Sequence, residues 1–181
     1  MVPHTHSTLR RRRRSAGNTF VEGAFTLLPT FALIFAFLDF GLMLFRWSTL
    51  QNAVREGARY AITFQQQTVG PSTLGQSDSI KNIVEQYSFG TVHVNDNPQH
   101  IFVKYYATTA PTTPIPSGGN VPGNIVEVSV QNVSLAWLAP LSGSYSSAVA
   151  PFFRNSTPLT LSVYSSDILG GLPVGVPSVA E

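Results

Sequence analysis

The chain has 181 residues, no cysteine, and 11 basic against 9 acidic side chains, for a formal net charge of +2. The lack of cysteine excludes disulfides, thiolate metal sites, cysteine nucleophiles and lipidation at cysteine. Charge is unevenly spread: residues 1–46 hold six arginines and two acids, whereas residues 47–181 hold five basic groups and seven acids. The basic character therefore belongs to the N-terminal flank, and the mildly acidic remainder is long enough for one small domain but not two.

Five consecutive arginines, Arg10 to Arg14, precede an almost wholly apolar run from Phe20 to Phe45. As a helix this run spans roughly 39 Å, more than the ~30 Å hydrocarbon core of a bilayer. It is too long for a secretory signal, whose apolar core is about 7–15 residues, and no small-x-small cut site follows it. The pattern predicts a retained membrane helix with the arginines in the cytoplasm and everything after about residue 46 outside. Topology accounts for the arginine block, so nucleic-acid binding is not expected from it. A twin-arginine export signal is disfavoured by Glu22 and by the length of the run.

Trp47 closes the run where an indole suits the headgroup layer. Beyond it Leu50, Val54, Ala58, Ala61 and Ile62 recur at helical spacing, so one helix is predicted over residues 19–64, roughly 69 Å long. Residues 65–75 read as a loop, and Ser77–Tyr87 as a second helix capped by Ser77 or Asp78 and ended by Gly90. Strands are predicted at Thr91–Val94, Ile101–Ala107, Ile125–Gln131 and Leu159–Tyr164. Two loops separate them, Thr109–Asn124 and Ala139–Pro158, and the Gly- and Pro-rich tail after Gly170 is expected to be flexible. An antiparallel sheet with one apolar face and a helix with an apolar stripe cover each other. The expectation is an α+β protein in which a long N-terminal membrane-spanning helix continues into an extracytoplasmic domain, with a small antiparallel sheet packed on its outer half. The expected divisions are a basic leader (1–17), a transmembrane helix (18–46), the outer domain (47–170) and the tail (171–181).

The segment Gly17-Asn18-Thr19-Phe20-Val21-Glu22 resembles a type IV prepilin processing site. Leu38-Asp39-Phe40-Gly41, followed by Leu50-Gln51-Asn52-Ala53-Val54-Arg55-Glu56-Gly57-Ala58-Arg59-Tyr60-Ala61, resembles the TadE-like family, minor pseudopilins of the tight-adherence (Flp) pilus system. The likeness covers about residues 14–62. It implies cleavage by a prepilin peptidase after Gly17, leaving Asn18 first, although Asn18 departs from the small or apolar residue more usual there. It also implies pilin-like subunits and the pilus assembly machinery as partners, beside the membrane. Cleavage would take the formal side-chain charge from +2 to −3.

Two acids sit inside the apolar run. Glu22 either snorkels to the headgroups or, as the resemblance implies, pairs with the free N-terminal amine within a pilin assembly. Asp39 is either an acid near the outer interface or a contact to a partner subunit. Pro29 removes one helix hydrogen bond and is expected to kink the rod. Arg55, Glu56 and Arg59 lie on the polar side of the outer helix, where the family motif suggests contact with the sheet or with neighbours, and Gly57 and Ala58 permit close approach.

No enzyme signature is present. His93, Asp96 and His100 match no metal-ligand spacing, so neither metal nor cofactor is expected. There is no nucleophile elbow and no phosphate-binding glycine loop. Asn132-Val133-Ser134 and Asn155-Ser156-Thr157 fit a glycosylation pattern that is a frequent chance match. The expectation is a non-enzymatic pseudopilin-like subunit of the inner membrane, with its N-terminus in the cytoplasm and its C-terminal domain periplasmic or extracellular. The alternative is a single-pass anchored binding domain that is neither cut nor assembled.

Overall fold

The structure is a computed structural model that describes residues 12–135 and 159–170, with side chains from residue 19 onward. The predicted loop Ala139–Pro158, the glycosylation pattern at Asn155 and the tail after Gly170 lie outside the described residues.

Helix α1 (Arg12–Ile62) runs unbroken through Pro29. Pro29 has no N–H to give, yet the rod continues on either side of it. Thr26 and Thr30 turn their hydroxyls back to the carbonyls of Glu22 and Thr26, four residues earlier, at 3.1 and 2.7 Å. In an apolar segment this hides two polar groups at little cost, and such back-bonding bends helices.

The first half of α1 is exposed on almost every side: Phe20, Phe25, Leu28 and Phe37 are all at least 72 % accessible. A helix apolar all round and left exposed among the described residues is suited to lipid. Residues 19–62 contain the one helix among the described residues that is long and apolar enough to cross a membrane. Covering begins gradually. Phe35 is half-buried, Asp39 is buried, Met43 packs against the core, and Leu50, Ala53, Val54, Ala58 and Ala61 are fully enclosed. These positions recur at helical spacing, so a single stripe leads from the apolar half into the domain core.

After Phe64 the chain makes a small hairpin, β1 (Thr68–Val69) and β2 (Ser72–Thr73), and then enters α2 (Gln76–Tyr87). The hairpin was not expected in the 65–75 loop; Gly70-Pro71 supplies its two-residue turn, with Gly70 at φ +62°. Helix α2 starts one residue earlier than predicted, and neither Ser77 nor Asp78 caps it. The N-cap is Gly75, without a side-chain bond. Ser79 instead donates to the Gly75 carbonyl at 2.8 Å and accepts from the Gln67 amide at 2.9 Å, which ties the hairpin to the helix.

The main sheet contains β3 (Ile101–Ala107), β4 (Ala110–Ile115), β5 (Ile125–Ser134) and β6 (Thr160–Ile168), all antiparallel, in the order β4-β3-β5-β6. In register, Ile101 faces Val130 and Val130 faces Val163, while Tyr105 faces Val126. Their alternation puts Val126, Val128 and Val130 on the face that α1 and α2 cover, together with Ile80, Val84 and Val92. β4 lies in the predicted Thr109–Asn124 loop. Its Pro111 and Pro114 hide it from a strand reading, yet they are tolerated because β4 is an edge strand.

The predicted strand Thr91–Val94 does not form. The side chains of Asp96 and Glu85 take its amides: Asp96 Oδ2 accepts from His93 N at 2.7 Å, and Glu85 Oε2 accepts from Val94 N at 2.9 Å. Carboxylates thereby occupy the donors that a sheet ladder would need.

Candidate functional site: the long helix and its motif

The residues singled out by the sequence all lie on α1, spread along its length. Gly17 and Asn18 fall within its helical backbone near the start. Glu22 is exposed in the apolar half. Asp39 differs: it is only 6 % accessible, between Leu38 and Phe40, which are 51 % and 57 % exposed. It stands on the stripe with Phe35, Met43 and Leu50, on the side of the helix that faces protein.

The Arg55-Glu56-Gly57-Ala58-Arg59 motif divides by face. Arg55 and Arg59 are exposed, and Arg59 stands 3.6 Å from Glu56. One turn apart and open to water, this pair is worth a few tenths of a kcal/mol. Gly57 and Ala58 face inward. A Cβ placed on Gly57 would lie 2.7 Å from Val84 Cγ2 of α2 and 3.2 Å from Val128 Cγ1 of β5. Both neighbouring layers therefore converge on a single position of α1, and only glycine leaves them room.

Further on, Gln76 is wholly buried, and its amide donates to the carbonyl of Ala61 at 2.8 Å. The Ala61 carbonyl lies in the last turn of α1 and also accepts from the Phe64 amide at 3.2 Å, so the glutamine adds a second donor at the helix end. Its own Oε1 has no partner. The sequence reading missed Gln76 because a single glutamine at a helix start has no signature.

Glu85 and His93 form a pair in which both groups are clearly shifted. His93 Nδ1 lies 2.9 Å from Glu85 Oε1. The hydrogen bond to His93, with the Val94 amide, holds the Glu85 carboxyl below its ordinary range, and the same bond raises His93. His100 is elsewhere, 2.9 Å from the Gln131 carbonyl, so the two histidines and Asp96 are not brought together. No group of three or more potential metal-ligating residues occurs among the described residues.

Residues 17–59 match the family model of TadE-like proteins. The TadE-like segment begins at Gly17, takes in the whole exposed apolar half of α1, and ends at Arg59, two residues after the glycine on which α2 and β5 converge. No curated protein and no solved structure matches the chain. The matched segment is similar to TadE-like proteins, and it lies on the helix that is long and apolar enough to cross a membrane, the arrangement of a single-pass anchor followed by a small domain.

Proposed function

We propose that the chain is a pseudopilin-like structural subunit that takes part in assembly of a tight-adherence type IV pilus, after a prepilin peptidase cuts it behind Gly17. The observation that carries this reading is the TadE-like match, which starts at the glycine of the proposed cut and runs along a helix whose first half is exposed on almost every side. It sits in the inner membrane with Arg10 to Arg14 in the cytoplasm and the sheet domain outside. It works by helix packing and surface display, not by catalysis.

Cleavage would leave Asn18 as the first residue, with a free amine. Glu22 stands four residues along the same helix, about 6 Å of rise away. In an apolar setting a lone carboxylate is costly until a cation pairs with it. The new amine is that cation, within the chain or from an adjacent subunit. Glycine also weakens the helix around the cut, by about 1 kcal/mol relative to alanine, which eases local opening for a peptidase.

The test is the N-terminus of the mature protein. Mass spectrometry of membrane-extracted material from cells making the pilus machinery should find Asn18 first, and Gly17→Ala should be cut slowly or not at all. Intact Met1 or Val2 termini alone would leave the alternative, an anchored binding domain that is never processed.

A further inference from the structure

Phe89 is the most exposed large hydrophobic residue among those described outside α1, at 79 %, with Tyr87 beside it at 40 %. Its backbone is as unusual as its exposure. Phe89 has φ +51° and Gly90 φ +73°, and the Thr91 amide donates back to the Ser88 carbonyl at 3.1 Å. Residues 88–91 therefore form a tight turn with both central residues left-handed, a place usually taken by Asn-Gly or Asp-Gly. A bulky aromatic there is an outlier, and strain of this kind concentrates at functional sites. Nothing described in the chain covers the ring.

The topology fixes which end of the domain carries this turn. α2 runs back along α1: Gln76 bonds Ala61, whereas Ile80 and Val84 meet Gly57. β6 runs in the same direction as α1, because Gln51 Nε2 reaches the Tyr164 carbonyl at 3.5 Å and Gly170 lies against Ile62. In register with β6, β3 starts low at Ile101 and ends high, with the Tyr105 hydroxyl 3.2 Å from Ser77 Oγ. The connection from α2 to β3 is thus at the end of the domain nearest the apolar half of α1. Trp47, itself 48 % exposed, is only four residues before Gln51, about 6 Å along the helix.

We propose that the Tyr87–Gly90 turn is a lipid contact: Phe89 and Tyr87 enter the interfacial layer of the same bilayer that α1 crosses and hold the domain against it. The inference rests on the membrane-anchored reading of α1, whose apolar half lies toward the same end of the domain as this turn. An exposed aromatic turn facing a membrane suits that layer, where rings with one apolar and one wet side are favoured. The charged side chains nearest to it in sequence are Glu85, His93 and Asp96, and residues 85–100 contain no lysine or arginine. The turn itself thus supplies no cation for anionic headgroups, and the contact it offers is apolar.

The lack of cysteine makes the test direct. Single cysteines at Phe89, at Leu33 in the span and at Thr109 in the turn between β3 and β4 are spin-labelled. Tyr87→Cys is a second probe should Phe89→Cys disturb the turn. The full chain is reconstituted in phosphatidylcholine vesicles, with and without phosphatidylglycerol, and collision with oxygen and with a water-soluble nickel chelate is measured. Expected are oxygen-rich, chelate-poor contact at Leu33, full chelate access at Thr109, and several-fold lower chelate access at Phe89 than at Thr109, alike in both lipid mixtures. If Leu33 is in lipid but Phe89 is as open to the chelate as Thr109, the contact does not exist. Protection of Phe89 that appears only at high protein-to-lipid ratio assigns the turn to a second copy and overturns the lipid contact. Chelate access at Leu33 itself would instead refute the membrane span.

Discussion

Gly57→Ala tests the packing at the centre of the TadE-like motif, because two effects of opposite sign meet there. In a helix, alanine in place of glycine is favourable by about 0.8–1 kcal/mol. Against this, the new methyl group would lie 2.7 Å from Val84 Cγ2, when carbon atoms prefer about 3.5–4.0 Å. Val84 is β-branched, helical and fully buried, so its χ1 has little freedom to yield. Val128 Cγ1 lies 3.2 Å from the same position, so a shift of the helix has a second neighbour, on another element, to clear. Overpacking of this kind costs about 1–3 kcal/mol, and the net expectation is destabilisation by about 1 kcal/mol. The cycle with Val84→Ala isolates the cause. Once Cγ2 is removed, Gly57→Ala should become stabilising, giving a coupling of about 2 kcal/mol between the two positions. Guanidinium unfolding of the full chain in detergent micelles, followed by near-ultraviolet circular dichroism, measures all four proteins. If Gly57→Ala alone raises stability, or the two changes add without coupling, the close approach of α2 and β5 to α1 is wrong.

The Glu85–His93 pair predicts a bell-shaped contribution to stability. Glu85 is held below its ordinary value, so its share is present above the unfolded pKa and lost as pH falls through the folded one; His93 is raised, so its share is present below its unfolded value and lost as pH rises through the folded one. Melting temperature against pH should therefore lose its neutral-side decline in His93→Gln, and an NMR titration should find His93 above a free histidine. Gln76→Ala removes the bond to the Ala61 carbonyl and empties a buried site, so destabilisation of about 1–3 kcal/mol is expected, whereas Gln76→Met, which also removes the unpartnered Oε1, should stay within about 1 kcal/mol of the parent in the same unfolding assay. Glu22→Gln should still insert and be cut at Gly17, yet crosslink poorly to pilin-like partners and reduce piliation; parental levels of both would make Glu22 a solvated acid only.

The elements with a strong period were legible in the sequence. The apolar run, the stripe from Leu50 to Ala61, and the alternation of Val126, Val128 and Val130 each state their own geometry. β4 was not, because proline argues against a strand except at an edge, and which strand is an edge depends on tertiary pairing. The Thr91–Val94 segment fails for a different reason: its amides are taken by carboxylates, one of which arrives from the preceding helix. Asp39 was recognised as unusual, but its burial on the protein side depends on the path of the rest of the chain. Gly57 was noted as permitting close approach; that α2 and β5 both converge on it needed coordinates. The work assigned to Gly17, Asn18 and Glu22 involves other molecules, and within one chain only the residue pattern speaks for it.

The absence of any break between the apolar half of α1 and the stripe under the sheet has a rotational consequence. A flexible linker would let the domain swivel freely above the bilayer; an unbroken helix fixes its azimuth. Each residue of helix turns the chain by about 100° and advances it 1.5 Å. One residue inserted between Asp39 and Met43 would leave the span just as apolar and the domain just as folded. It would nevertheless turn the whole domain by about a quarter-turn about the helix axis, away from the half-buried side of Phe35. Four residues would nearly restore the phase while lifting the domain about 6 Å. The spacing between the membrane and the motif is therefore an angular setting as much as a length.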